Sequence, residues 1–387
     1  MKNAKEFIIL DMFLLNTNYK PNDKYINLTE QLIYSYNKNN NTKKVLITDP
    51  INTFYGSHKS IPLETAKSKN IEVYITDLSK LRQSNILWSG IYYPFLQWIP
   101  TKGSGIVKHP FGDLNQKVTI RSLLSLLNFK ANHRKIGVMD SDESYTSFII
   151  SANPHNPSSL HSNIGFKING QIAKDIIFTE NIIADFKKPV IKQTNESGNI
   201  SVQLLTENAI KKAMIKDIDE TKSGEKIQIA VFYISDRKLI KSLKNAAKRG
   251  VTIDIILDPN KDSFGREKNG IPNRQVAYEL ERLDNINIRW YDTHGEQFHA
   301  KILVIIKEDK IIVYGGSANF TRRNLNNYNL ETNVKIISPI NTNFTNDIFL
   351  FFEKINQNTI HYEAYKDTSK IKYLIYRFLE FTGLCTF

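Results

Sequence analysis

The chain has 387 residues, 41 % apolar and 24 % charged, which excludes a disordered or fibrous protein and fits two globular domains of somewhat under ~200 residues each. Fifty-two Lys and Arg against 39 Asp and Glu give a net charge of +13, a balance that attracts polyanions such as nucleic acid or an anionic lipid face, or that simply reflects a Lys- and Asn-rich composition. The single cysteine, Cys385, excludes a disulfide framework or a cysteine metal site within the chain, and no apolar run approaches the roughly 20 residues that span a bilayer.

The first element is an apolar run at residues 7–10, flanked by Glu6 and Asp11 and followed by no small-residue cleavage site; it reads as a strand, not as a signal peptide. A helical stretch at 27–38 follows, then Val45-Leu-Ile-Thr-Asp-Pro and a further strand at 71–75. The same order returns in the second half as Ile229-Ala-Val-Phe-Tyr, a helix at 237–249, Ile255-Ile-Leu-Asp-Pro and a strand at 288–291. Each Asp-Pro strand is followed by a glycine at equal spacing, Asp49 to Gly56 and Asp258 to Gly265. Strands alternating with helices, twice over, predict an α/β class. Residues 83–126 are an insert in the first copy. Residues 181–225, polar around 193–199, read as the connection between an N-terminal domain, 1–180, and a C-terminal domain, 226–387.

Both copies then reach one pattern. The first reads Asn132-His133-Arg134-Lys135, with Asp140 five residues on and Ser151-Ala152-Asn153 beyond; the second reads Phe298-His299-Ala300-Lys301, with Gly316-Ser317-Ala318-Asn319 beyond. His to Ser is 18 residues and His to Asn 20 in each copy. On a strand, residues i and i+2 share a face, so each His projects beside its Lys. A hairpin turn at 307–310, or at 141–144, returns the chain antiparallel and brings Ser and Asn back beside the His. One His-x-Lys alone is an ordinary half-exposed strand pair; two with matched downstream spacing point to chemistry. Paired imidazoles, ammonium groups, hydroxyls and amides supply what phosphoryl transfer needs: cations and donors on the non-bridging oxygens, a nucleophile, and an acid for the leaving oxygen.

The paired His-x-Lys with its Gly-Ser-x-Asn continuation resembles the phospholipase D superfamily, over residues 7 to about 340. The resemblance implies two α/β/α sandwich domains with mixed sheets, related by a pseudo-twofold axis, and one active site between them that needs no metal or other cofactor. It implies catalytic parts for His133, Lys135, Asp140, His299, Lys301 and Glu331, and substrate-binding parts for Ser151, Asn153, Asn163, Ser317 and Asn319. His133 is the nucleophile and His299 the acid on this reading. The second copy departs from the pattern, with Ile306 where the first has Asp140. The family also has a Glu that orients a catalytic imidazole. Glu331 matches it, and aligning Phe166-Lys-Ile with Val334-Lys-Ile puts Asn163 at the corresponding place in the first half. A carboxylate on one imidazole and an amide on the other make the two pKa values unequal. The other histidines, His58, His109, His155, His161, His294 and His361, have no partner in the repeat and read as surface or structural residues, and Glu296 as part of a polar loop.

The substrate is open between phospholipid, for a phosphodiesterase or phosphatidyltransferase of the phospholipase D or cardiolipin synthase type, and nucleic acid, for an endonuclease; a non-catalytic anion-binding module is the third reading. The insert bears on the choice. Residues 86–100 are aromatic and apolar, with two of the three Trp, and fit either a lipid interface or the core of the first domain. Lys102, Lys108 and Arg121 beside them fit a headgroup or a phosphate backbone. The expected setting is cytoplasmic, peripheral at the inner membrane face, with Cys385 either acylated or idle. Oligomeric state is not legible.

Overall fold

The computed structural model describes residues 1, 3–15, 26–38, 42–100, 105–110, 116–141, 144–193, 196–263 and 266–384. Cys385, Gly265, Lys102, and the turn and linker residues 142–143 and 194–195 named above lie outside the described residues.

The first half runs β1 (Phe7–Met12), α1 (Leu28–Asn37), β2 (Lys43–Thr48), α2 (Ile61–Ser68), β3 (Glu72–Ile75), α3 (Ile86–Ile91), β4 (Val107–Lys108), β5 (Lys117–Val118), α4 (Ile120–Leu126), β6 (Lys135–Ser141), β7 (Ser144–Ile150), β8 (Gly165–Asn169) and α5 (Ile172–Ala184). The second runs β9 (Ser201–Thr206), α6 (Asn208–Asp219), β10 (Lys226–Val231), α7 (Arg237–Lys248), β11 (Thr252–Leu257), β12 (Asp262–Ser263), β13 (Arg266–Glu267), α8 (Asn273–Leu280), β14 (Ile286–Tyr291), β15 (Lys301–Ile306), β16 (Lys310–Gly316), α9 (Arg322–Leu325), β17 (Thr332–Pro339), α10 (Asn343–Gln357), β18 (Thr359–His361) and α11 (Lys370–Thr382).

Two mixed sheets result. The first has the order β3-β2-β1-β6-β7-β8; the second repeats it as β14-β11-β10-β15-β16-β17 and adds β18 and β9 at its edges. In each, three parallel strands meet an antiparallel set, and the Lys of His-x-Lys opens the first antiparallel strand: Lys135 faces Met12 of β1, and Lys301 faces Val231 of β10. The repeat read from the sequence is therefore a repeat of topology. Within the expected connection, residues 201–206 form β9 on β17, and residues 208–219 form α6.

The sheets share a core. Ile136, Val138 and Phe166 of the first half lie in one apolar cluster with Ala300, Ile302, Val313 and Val334 of the second. Phe166 sits so near the β16 backbone that a Cβ at Gly315 would lie 2.4 Å from its ring, so only glycine allows this approach. No helix among the described residues is long and apolar enough to cross a membrane.

Candidate active site

The segment before each His-x-Lys is clamped by the Asp-Pro carboxylate of its own half. Asp49 accepts from the backbone N–H of Asn132 at 2.7 Å and of Ile51 at 2.7 Å; Asp258 accepts from Phe298 N–H at 2.8 Å and Asn260 N–H at 2.7 Å. Burial pushes these carboxyl groups up to about 7 and about 6, while the N–H groups pull the other way by favouring the ionised form. The Asp-Pro signal of the sequence thus fixes the residue next to each imidazole. An Asp49→Asn change turns one acceptor into a donor facing an N–H. Activity should fall about tenfold or more with the fold retained, and steady-state kinetics beside a melting curve will check it.

The two halves then cross. His133 N–H donates to the Leu330 carbonyl at 2.9 Å, and His299 N–H to the Ser162 carbonyl at 2.8 Å, so each histidine is held by the stretch leading to the other half's orienting residue. His133 Nδ1 lies 2.9 Å from Glu331 Oε1, and His299 Nδ1 lies 3.1 Å from Asn163 Oδ1. The alignment that paired Asn163 with Glu331 is realised in space, each acting on the imidazole of the opposite half. Ser317 donates to Glu331 and Ser151 donates to Asn163 at 3.0 Å, while the next backbone N–H, of Thr332 or Ile164, donates to the same serine at 3.0 Å. Asn324 also donates to Glu331, and Asn163 Nδ2 donates to the His161 carbonyl at 2.9 Å. Ser151, Ser317 and Asn163 were expected on the substrate, and Asn163 also at the place of the orienting Glu; the serine hydroxyls bond Asn163 and Glu331, and these two bond the imidazoles.

The lysines are symmetric too. Lys135 Nζ donates to the His133 carbonyl at 2.7 Å and lies 5.1 Å from the centre of the Phe13 ring; Lys301 Nζ donates to the His299 carbonyl at 2.8 Å and lies 5.2 Å from the centre of Phe232. The same rings flank the imidazoles, Phe13 at 4.8 Å from His133 and Phe232 at 5.1 Å from His299. Sequence reading missed this pair, although Phe13 directly follows β1 and Phe232 directly follows the equivalent strand β10. Asn153 and Asn319 are buried, and the Oδ1 of each has no partner among the described residues. Of the expected substrate-binding residues, these two remain available to a ligand.

Arg134, between His133 and Lys135, bonds Glu180 of α5 at 2.8 Å and Glu207 at 2.7 Å, and Glu207 in turn accepts from the backbone N–H of Glu331 at 3.1 Å. Asp11 accepts twice from Asn132 Nδ2, at 2.9 and 2.8 Å. Neither network has a sequence signature. His161, read as surface or structural, lies 5.7 Å from His299 between ring centres. His155 is buried against Ser158, His58 and His109 meet edge-on at 5.5 Å between ring centres, and His294 is exposed beside Asp292.

Asp140 requires correction. It lies at the far end of β6, where its carboxylate accepts from the backbone N–H groups of Lys5, Glu6 and Phe7 at 2.7 to 3.1 Å and ties down the entry to β1. In the second half the corresponding Ile306 pairs in the ladder with Lys226. An Asp140→Ala change should lower stability by roughly 1–3 kcal/mol and leave turnover of folded protein within about twofold, as a melt and a rate measured well below the melting point will show.

Burial lowers both imidazoles. For His133 the Glu331 carboxylate opposes this; His299 has no such support and is lowered further by Lys301, His161, Lys135 and His133. Burial pushes Lys135 down to about 7, against the pull of Glu331, Asp11 and Asp49, and puts Lys301 well below its usual value with Lys135 adding to the effect. Burial works against the Glu331 carboxylate, but His133, Lys135 and Ser317 hold it below the usual range. The site buries two imidazoles and two lysines beside the Glu331 carboxylate, a setting in which a bound phosphate anion favours their charged forms.

Residues 214–354 match the family described as cardiolipin synthase, PLD-like domain. The fold is similar to phosphatidylserine synthase of Haemophilus influenzae Rd KW20, at 11 % identity and a TM-score of 0.63 over 99 % of this chain and 90 % of that one. Nuc of Salmonella typhimurium, a phospholipase D family member, is similar at 20 % identity and a TM-score of 0.35 over 42 % of this chain and 97 % of its own. NucT of Helicobacter pylori is similar at 17 % and 0.34 over 42 % and 99 %. A search of curated proteins gives no match.

Proposed function

We propose that the chain is an enzyme of the phospholipase D superfamily that cleaves or exchanges phosphodiesters of phospholipids through a covalent phosphohistidine, without a metal ion; the domain match at residues 214–354 and the likeness of the fold support this reading. The crossed pairing of imidazoles carries the reading, His133 on Glu331 and His299 on Asn163.

With Nδ1–H donated to a carboxylate, His133 presents the lone pair of Nε2, and Glu331 stabilises the positive charge that grows as this nitrogen bonds to phosphorus. As the P–N bond forms, the P–O bond to the leaving alcohol breaks and the alkoxide takes the Nε2 proton of His299. Asn163 adds no charge to His299, which makes its imidazolium a stronger acid than one backed by a carboxylate. Water or an alcohol then attacks phosphorus, gives its proton to His299, and His133 leaves. Lys135, Lys301, Asn153 and Asn319 hold the non-bridging oxygens. The domains divide within the expected connection 181–225, between the end of α5 and β9, with the active site between them.

The lipid substrate is supported by the insert. Ile86, Leu87, Ile91, Phe95, Trp98 and Ile99 are exposed, which fits the interface reading and not the core reading. The deciding measurement is product analysis in excess chelator with phosphatidylglycerol vesicles and single-stranded DNA offered in parallel. Phosphatidic acid will mark hydrolysis and cardiolipin transfer; DNA cleavage without lipid turnover would replace this reading with a nuclease.

A further inference from the structure

The C-terminal helix α11 carries apolar residues on both faces, with Tyr373, Tyr376 and Leu379 packed on the core of the second half. Toward the protein it turns Tyr376, whose hydroxyl donates to the Ser235 carbonyl at 3.1 Å, and Glu380, which accepts from the Ser235 hydroxyl at 2.7 Å. Toward solvent it turns Ile371, Leu374, Ile375, Phe378 and Phe381, an apolar stripe at helical spacing, with Phe381 81 % exposed. A helix that only covers the protein keeps its outer face polar.

This stripe joins the exposed insert. The end of α11 abuts the start of α3 so closely that a Cβ at Gly383 would lie 2.0 Å from the Ser84 carbonyl oxygen. Arg323 ties both, donating to Ser84 Oγ at 2.7 Å and to the Gly383 carbonyl at 3.0 Å. Phe95, 72 % exposed, and Trp98, 75 % exposed, continue the apolar surface from there. Beside Phe381 opens a cavity of about 380 Å³ lined by Arg82, Lys238, Arg322 and Arg377. Its carboxylates are engaged, Asp236 with Lys211 at 2.6 Å and Glu380 with Ser235. The insert is also joined to the active site: Lys130, three residues before His133, donates to the Leu81 carbonyl at 2.8 Å and to the Tyr93 hydroxyl at 3.2 Å.

We infer that the outer face of α11 and the α3 insert form one surface that seats in the headgroup region of an anionic phospholipid bilayer, with lipid phosphates in the cationic cavity beside Phe381. Aromatic and aliphatic side chains beside arginines are the composition such an interface selects, and the charge of the cavity is complementary to an anionic leaflet. The inference takes the class of its ligand from the phospholipid reading but involves none of the active-site residues.

The test is co-sedimentation of the full chain at physiological salt with vesicles of phosphatidylcholine containing about one third phosphatidylglycerol, against pure phosphatidylcholine. The variants are Phe378→Ser/Phe381→Ser, Phe95→Ser/Trp98→Ser and Arg82→Glu/Arg377→Glu, with cleavage of a soluble monomeric phosphodiester as the control for folding. Wild-type protein should prefer the anionic vesicles, and each variant should bind them at least about tenfold more weakly with the soluble activity unchanged. Undiminished binding by the variants would overturn the inference. So would a wild-type dimer that the serine variants dissolve, or single-stranded DNA bound in place of vesicles and lost with the arginine pair. His133→Ala protein that binds vesicles but turns over nothing would leave this surface standing; vesicle binding by protein inactive before mutation would remove the catalytic reading alone.

Discussion

His133→Ala protein is expected to lose turnover by on the order of 10⁴-fold or more, and to form no covalent adduct with any phosphodiester. His133 is the imidazole backed by a carboxylate, with Glu331 at 2.9 Å, whereas His299 is backed by the Asn163 amide. His299→Ala protein should separate the two parts. With a lipid whose leaving alcohol needs a proton, it should be as inactive as His133→Ala. With a p-nitrophenyl leaving group, which departs without a proton, the first step should proceed within about 100-fold of wild type. The adduct should then accumulate on His133, because no base remains to activate water. Intact-mass spectrometry after mixing will reveal it; an adduct on His133→Ala protein and none on His299→Ala would reverse the two assignments.

The second large effect concerns the orienting residues. Glu331→Gln should lower kcat/KM by about 10²–10³-fold, since it removes the carboxylate from His133 and disturbs the bonds from Ser317 and Asn324. The sign on pH follows from the charge. The carboxylate raises the affinity of His133 for a proton, so its loss moves the acid limb of the profile, where His133 becomes protonated, to lower pH. Asn163→Asp should act on the other limb. A carboxylate beside His299 holds the proton that the acid must carry, so the alkaline fall in rate should move to higher pH, at a cost of less than about tenfold in the rate maximum. Limbs that stay in place in both variants would refute the assignment of nucleophile and acid.

The doubling of the chain was legible because it rests on local patterns: strands ending in Asp-Pro, and a His-x-Lys repeated with the same distance to Ser and Asn. The parts that were not legible depend on how loops fold back within a half and on where the halves meet. Ser151 and Ser317 have the right spacing to face a phosphate, yet their hydroxyls reach Asn163 and Glu331 of their own halves, because the segments carrying those residues return beside them. Asp140 has the family spacing, but the strand carries it five residues away from Lys135, to the far end of β6. His161 has no counterpart in the repeat and reaches the pocket only because Ser162 pairs with Phe298. For the insert, composition allowed an exposed or a buried place equally, and only the packing of α3 beside α11 decides it.

The exchange of orienting residues between halves also bears on the order in which the protein becomes reactive. His133 is synthesised 198 residues before Glu331, an interval of about 10–40 s at ordinary elongation rates. Throughout it the nascent N-terminal half carries its imidazole, lysine and clamp but not the carboxylate that activates them. On the proposed mechanism the half-made chain is latent, and a truncation series read for adduct formation should remain silent until residue 331 is included.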